Sequence, residues 1–336
     1  MISLSSTLAA PAALLASLGS GAASGVADEA PAPRRFSFVY EVSLKDLPEG
    51  AKRLDLWIPL PSTDPFQDIT DLEVEARTPH RVTTAAPYGN RMIHFGLRED
   101  VRPFDVVVRF DVLRREQTAS RALVDPSLRE RLLDSDRLVP VSRRAREIAF
   151  SVASDPPDAR GKARAIYDYV LGNMRYDKSG AGWGRGDFEY ACDAKAGNCT
   201  DFHSLFIGVA RAAKIPALFE IGFPIPADRK EGEIGGYHCW ALFEDPERGW
   251  TPTDISEAWK DETLREYYFG RLTPDRVVFS RGRDLRLEPP QSGDPVNFFV
   301  YPYCEVDGRP FDGGDGGDGG ARGDGVTKRF SFRERE

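Results

Sequence analysis

Hydrophobic and polar positions alternate with a period of two early in the chain. Phe36, Phe38, Tyr40 and Val42 are separated by polar or branched residues, the spacing of a strand with one buried face. The run 54–61 (LDLWIPLP) reads as a second strand ended by proline, and 106–112 (VVVRFDV) as a later one. Pro, Gly and Asp turns separate these runs, so the pattern predicts an all-β sandwich over residues 28–118. The charged stretch 119–150 predicts a helical bridge. The period then becomes helical: Ala163, Ile166, Tyr167, Val170, Leu171 and Met174 form one stripe, with a start signal at Asp155-Pro156-Pro157-Asp158. Phe202, Leu205, Phe206, Val209, Ala210 and Ala213 repeat that spacing until Pro216 stops it. Strand-like runs follow at 217–223, 237–244 and 250–254. Helices followed by antiparallel-looking strands make an α+β core over 151–275. Residues 276–336 read as a β extension. Its runs 297–306 and 326–332 are expected to form a hairpin across a flexible Gly/Asp-rich insert, 312–325 (DGGDGGDGGARGDG).

The N-terminus follows neither period. Residues 1–27 carry no charged side chain, Leu8–Leu18 is apolar, and Gly25-Val26-Ala27 precedes Asp28. This is the layout of a signal peptide with a small-x-small cleavage site, although the opening MISLSST lacks the usual Lys or Arg. The run is too short to span a bilayer. The expectation is an exported protein, periplasmic or extracellular, without a transmembrane segment.

Composition narrows the function. The chain has 336 residues, room for two domains. Its 45 Lys and Arg against 53 Asp and Glu leave a net charge of −8, which argues against nucleic-acid binding through a basic surface. Four cysteines exclude a disulfide-stapled miniprotein. No P-loop and no strand-linked GxGxxG is present, so nucleotide chemistry is not expected.

One cysteine has a special address. Cys199 falls in the first turn of the second helix, after the turn signal Gly197-Asn198, with Asn198 as N-cap. Backbone N–H groups and the positive end of the helix dipole stabilise a thiolate there, and the same groups could hold an oxyanion. A cysteine nucleophile needs a base and an orienter. His238 is the candidate base, sharing a strand face with Trp240 and Leu242, while Cys239, Ala241 and Phe243 take the other, core-facing side. Asp254, sixteen residues on, sits where a neighbouring strand reached through the turn 245–249 could bring a carboxylate to the imidazole. His203, four residues after Cys199, is a rival base or zinc ligand, but reads better as a structural hydrogen-bonder beneath the site. The Cys192-x6-Cys199 spacing does not suit zinc. No metal and no cofactor is expected. Asp201 reads as a helix cap rather than a substrate ligand. His80 and His94 stand alone in the sandwich and read as structural. Cys239 reads as a buried thiol, and Cys192 and Cys304 are left to pair or not.

The segments Gly197-Asn198-Cys199-Thr200-Asp201-Phe202-His203, His238-Cys239-Trp240 and Gly249-Trp250-Thr251-Pro252-Thr253-Asp254 occur in that order. Together they resemble the transglutaminase-like superfamily over residues 163–258. The resemblance implies a papain-like core, in which a helix bearing the cysteine packs on an antiparallel sheet, preceded by a β-sandwich. It implies Cys199 as nucleophile, His238 as base and Asp254 as orienter. The expected activity is thiol-dependent acyl transfer on amide bonds through a thioester, by a peptidase, amidase or transglutaminase. The expected partners are protein or peptide substrates, cell-wall peptides among them. Trp183, in the glycine-rich segment 180–186, Tyr237 and Trp240 are expected as cleft walls. The rival reading is a non-enzymatic cell-envelope binding or scaffold protein with a relict triad.

Overall fold

Strand β1 (Arg34–Leu44) keeps the predicted alternation, burying Phe36, Phe38, Tyr40, Val42 and Leu44. It pairs antiparallel along its whole length with β6 (Phe104–Arg114), whose Val106, Val108, Phe110 and Val112 are also buried. With β3 (Gln67–Glu75), β10 (Glu231–Glu233) and β16 (Val326–Glu334) they make a sheet ordered β10-β16-β1-β6-β3. A second sheet comprises β15 (Arg309–Phe311), β14 (Tyr303–Val306), β2 (Leu54–Leu60), β5 (Asn90–Leu97) and β4 (Arg81–Ala85), in that order. This computed structural model describes residues 30–311 and 325–336. The leader expected over 1–27 lies outside the described residues, as does the expected insert 312–325 apart from Gly325.

The C-terminal segment contributes β16 to the first of these sheets and both β14 and β15 to the second. The expected hairpin between 297–306 and 326–332 does not form: β16 pairs with β1 (Phe38 opposite Phe332) and β14 with β2 (Cys304 opposite Leu56). The local turn signal decides this. Asp307 and Gly308 both adopt positive φ, and they close a two-residue hairpin from β14 to β15 instead.

The bridge over 119–150 also departs from expectation. It holds two 3-10 turns (Pro126–Leu128 and Arg131–Leu133) and becomes α-helical only at α1 (Arg143–Ala153). Pro126 and Pro140 interrupt the helical ladder, and Leu123, Val124, Leu128, Leu132 and Val139 are buried instead of lining one helical stripe.

The core follows. Helix α2 (Ala159–Asn173) starts on the side-chain cap of Asp158 and buries Ala163, Ile166, Tyr167 and Val170. The short strands β7 (Arg175–Tyr176) and β8 (Ala196–Gly197) pair in parallel and flank α3 (Phe188–Ala194), which the sequence pattern did not signal. Helix α4 (Cys199–Ala212) is apolar on nearly every side and is buried from Cys199 to Arg211, as befits a central helix. It packs on a four-stranded antiparallel sheet ordered β12 (Gly249–Thr253), β11 (His238–Asp245), β9 (Ala217–Pro224) and β13 (Arg276–Arg281). Helix α5 (Ile255–Lys260) leaves the end of β12.

Sandwich and core share one hydrophobic interior. Phe223 of β9 and Phe279 of β13 meet Phe38, with ring centroids 5.5 Å apart in both cases. Strands β9 and β13 approach so closely that a Cβ on Gly222 would lie 1.8 Å from the Val277 carbonyl oxygen. The Gln67 side chain donates to the carbonyl of Val278 (3.0 Å) and accepts from its N–H (2.9 Å), doing for β13 what a neighbouring strand would do. Among the described residues, no helix is long and apolar enough to cross a membrane.

Candidate active site

Asn198 opens α4 as expected. Its Oδ1 accepts from the Thr200 N–H (2.9 Å), while its own N–H donates to Asp201 Oδ2 (2.9 Å), completing a capping box. Asp201 therefore caps, and it does more: it accepts from the N–H groups of Gly184 (2.8 Å) and Gly186 (3.1 Å), tying the glycine-rich loop to the helix start. Burial pushes its carboxyl up to about 6, against those backbone hydrogen bonds. Gly197 must be glycine, because a Cβ there would lie 2.2 Å from Asp201 Oδ2.

This scaffold sets Cys199 at the first position of α4, 2% exposed. His238, the first residue of β11, and Asp254, just past β12, come together beside it. His238 Nε2 lies 2.7 Å from Asp254 Oδ2, which leaves Nδ1 as the nitrogen for the thiol. Burial alone would raise the Cys199 thiol. Hydrogen bonds from Cys239 and His238 and the positive charge of His238 outweigh it and hold the thiol well below its ordinary range. The imidazole moves the other way. Burial lowers it, but the charge and hydrogen bond of Asp254, with Cys199, push it up to about 10. Asp254 is held well below the usual carboxylate range, because His238 and Arg276 overcome its burial. Both shifts run in the direction that favours proton transfer from the thiol to the imidazole.

His203 lies beneath the pair with both ring nitrogens engaged. Nδ1 donates to the Cys199 carbonyl (2.7 Å) and Nε2 accepts from the Ile255 N–H (3.0 Å). It therefore links the helix start to α5 as a neutral ring, and burial lowers its pKa accordingly.

Cys239 is a buried thiol, as the strand alternation required, but its face is the one that α4 covers. Its Sγ lies 3.8 Å from His203 Nδ1 and close enough to the Cys199 thiol to help lower it. Cys239 is thus part of the site. All four cysteines are thiols, so the Cys192–Cys304 bond left open by the sequence is not formed.

The three expected cleft walls are differently placed. Trp183 is half-buried in the loop pinned by Asp201, its ring 5.9 Å from Lys178 Nζ. The Tyr237 hydroxyl accepts from Asn198 Nδ2 (3.1 Å) and donates to the Gly184 carbonyl (3.4 Å), bracing helix cap and loop. Trp240 is wholly buried and walls no cleft. Its Nε1 donates to Glu220 Oε2 (2.6 Å), the Arg276 guanidinium lies 4.8 Å over its ring, and the sheet and sandwich enclose it.

Two side chains here escaped the sequence reading. Arg276 Nη1 donates to the same Asp254 Oδ2 that receives His238, at 2.9 Å. Glu220 also accepts from Gln117 (3.1 Å) and Arg281 (2.6 Å). A carboxylate within the apolar run ALFEIGF was a visible signal for Glu220. Arg276 gave none, since it opens an apolar run where a charged residue normally marks a strand end. Among the described residues, no group of three or more His, Cys, Asp or Glu is arranged to hold a metal.

Comparison with known proteins agrees with this architecture. Residues 146–255 match the family model of the transglutaminase-like superfamily core. An uncharacterised protein of Haemophilus influenzae is 26% identical over 314 residues, covering 80% of this chain and 85% of that protein. The crystal structure of a candidate cysteine protease from Cytophaga hutchinsonii has the same fold, with a TM-score of 0.55, 14% identity, and coverage of 90% of this chain and 99% of the other. The periplasmic domain of TgpA from Pseudomonas aeruginosa aligns more loosely, with a TM-score of 0.37, 16% identity, and coverage of 69% and 93%.

Proposed function

Given a transglutaminase-like core at residues 146–255, we propose that the protein is an enzyme of thiol-dependent acyl transfer on amide bonds. Cys199 is the nucleophile, His238 the general acid and base, and Asp254 the orienter. The observation that carries this reading is the buried His238–Asp254 pair, 2.7 Å apart, set beside Cys199 at the N-terminus of α4, where the thiol is lowered well below its ordinary range.

The thiolate attacks the amide carbonyl carbon. The Thr200 N–H is taken by Asn198 Oδ1 and the Asp201 N–H by the Asn198 carbonyl (3.1 Å), so the Cys199 N–H is the first-turn donor left for the oxyanion. His238 gives its proton to the departing amine as the C–N bond breaks, and a thioester remains. Water then attacks, His238 takes its proton, and the acid and thiolate are released. An amine from lysine in place of water gives an isopeptide bond. Protein and peptide chains, cell-wall peptides included, are the substrate class. Trp183, in the loop that Asp201 ties to the helix start, is the proposed cleft wall. The uncharged apolar leader supports an exported protein, to be tested by fractionation of cells expressing the full chain.

The enzymatic reading is tested with a dye-labelled protein substrate, with and without a primary amine. New N-termini indicate peptidase activity, and ammonia release with amine incorporation indicates transglutamination. Neither product, with Cys199 alkylated by iodoacetamide at pH 6–7 no faster than a free thiol, would sink the reading and leave a binding module.

A further inference from the structure

We propose that Arg276 is a positioning residue of this site: bound to the oxygen of Asp254 that also receives His238, it limits the charge that the carboxylate lends to the imidazole. The inference rests on the reading of Cys199 and His238 as a reactive pair, and concerns how that pair is tuned.

Asp254 is wholly buried and its contacts are crowded. Oδ1 accepts from Ser256 Oγ (3.0 Å) and caps α5 through the Glu257 N–H (3.1 Å), while Oδ2 takes His238 and Arg276 at 2.7 and 2.9 Å. The capping bonds already fix the carboxylate in space, so Arg276 is not needed to keep it there. What Arg276 adds is a charge. It comes from β13, outside the family-matched segment 146–255, and is 3% exposed, stacked on Trp240. Its Nε is buried without a partner. A space-filling role would be met by an apolar side chain at lower desolvation cost.

The charges around the pair show what that cation does. His203 faces the Cys199–His238 pair from α4, Cys239 from β11, Glu257 from α5 at 3.8 Å from His238 Nε2, and Tyr176 from β7, while Tyr268, after α5, faces Arg276. Glu257 is paired with Lys260 (2.6 Å). Arg114, Glu220 and Arg281 lie behind Arg276. The Cys199 thiolate, the His238 imidazolium, the Asp254 carboxylate and the Arg276 guanidinium therefore form a neutral quartet. Without Arg276, one buried negative charge is in excess. Protons then bind more tightly to both Cys199 and His238, and the pH window of the thiolate–imidazolium pair moves upward.

The test is the pH dependence of Cys199 alkylation by iodoacetamide in the full chain, with the modified peptide identified by mass spectrometry. This measures the thiolate and needs no substrate. Absence of acyl transfer with an intact alkylation window would count against the proposed function alone. Arg276→Met is expected to move the acid limb of alkylation up by about one pH unit, and Arg276→Lys to restore it. An acid limb that stays put in Arg276→Met, or moves equally in Arg276→Lys, overturns the proposal. If Arg276→Met does not fold, Arg276→Gln gives the same reading with a neutral donor. Failure of both neutral variants to fold, with Arg276→Lys folded, also overturns it, because the charge then serves stability.

Discussion

The molecule contains two buried histidines built into nearly the same surroundings. In the core, His238 meets Asp254 at 2.7 Å, the carboxylate also binds Arg276, and Trp240 lies 5.9 Å from the imidazole. In the sandwich, His94 meets Asp55 at 2.9 Å, the carboxylate also binds Arg98 (2.9 Å) and Arg53 (2.7 Å), and Trp57 lies 5.1 Å away. The difference is what faces the other side of each ring. His238 opens its strand and turns toward Cys199 at a helix start, where dipole and hydrogen bonds favour a thiolate. His94 lies inside β5, opposite Trp57 of β2, in the middle of a sheet and not at a helix start. A buried His–Asp–Arg cluster is therefore an ordinary way to satisfy polar groups in a β-sheet, and becomes chemistry when an activatable nucleophile completes it.

The comparison can be broken most directly at the nucleophile. Cys199→Ala is expected to lower acyl transfer by about 10⁴-fold or more with an unchanged melting profile. His94→Ala should melt at lower temperature and keep its per-molecule activity at a permissive temperature. Loss of turnover in folded His94→Ala would erase the distinction. Next, His238→Ala should slow Cys199 alkylation at pH 6–7 by about 10²-fold, whereas His94→Ala leaves that rate unchanged.

The sandwich cluster makes the opposite prediction. Asp55→Asn deprives the buried His94 ring and the half-exposed Arg53 and Arg98 of their carboxylate and should cost about 2 kcal/mol of unfolding free energy, read by urea titration, without moving the alkylation rate. Its pH dependence has a definite sign. Hydrogen bonds from His94 and the arginines overcome burial and hold Asp55 well below the usual carboxylate range. The stabilisation is thus complete above about pH 4, and is lost progressively as pH falls from there toward the lowered value. Asp55→Asn should flatten that acid slope.

The smallest expected effect is at Cys239. Replacing it with Ala removes a hydrogen bond to the Cys199 thiolate, so the acid limb of alkylation should rise by about half a pH unit. No rise would mean that His238 alone sets the thiolate.

The pieces legible in sequence were those set by short-range periodicity. The stripe Phe202–Ala213 gave α4 and so the address of Cys199, and the cap at Asn198 followed from composition alone. His238 and Asp254 were found because strand, turn and strand lie within seventeen residues. Trp240 was misjudged because alternation assigns a side chain to a face without saying what covers that face. The same gap hid Cys239, whose face meets α4. Arg276 was invisible because its partner, Asp254, is twenty-two residues away and belongs to another strand's end. The exchange of β14 and β16 between sheets depended on the Asp307-Gly308 turn outcompeting a longer connection.

Gln67 bears on how the molecule comes apart. Its amide bonds both backbone groups of Val278, so a residue of the N-terminal β-rich region supplies an edge rung to the sheet that carries His238. Heating then finds no seam to open first, and a calorimetric scan should show a single transition. The same rung makes the half that carries Cys199 hard to excise. A gene fragment cut near residue 146 would leave β13 with an unsatisfied edge and the Glu220 carboxylate without Gln117.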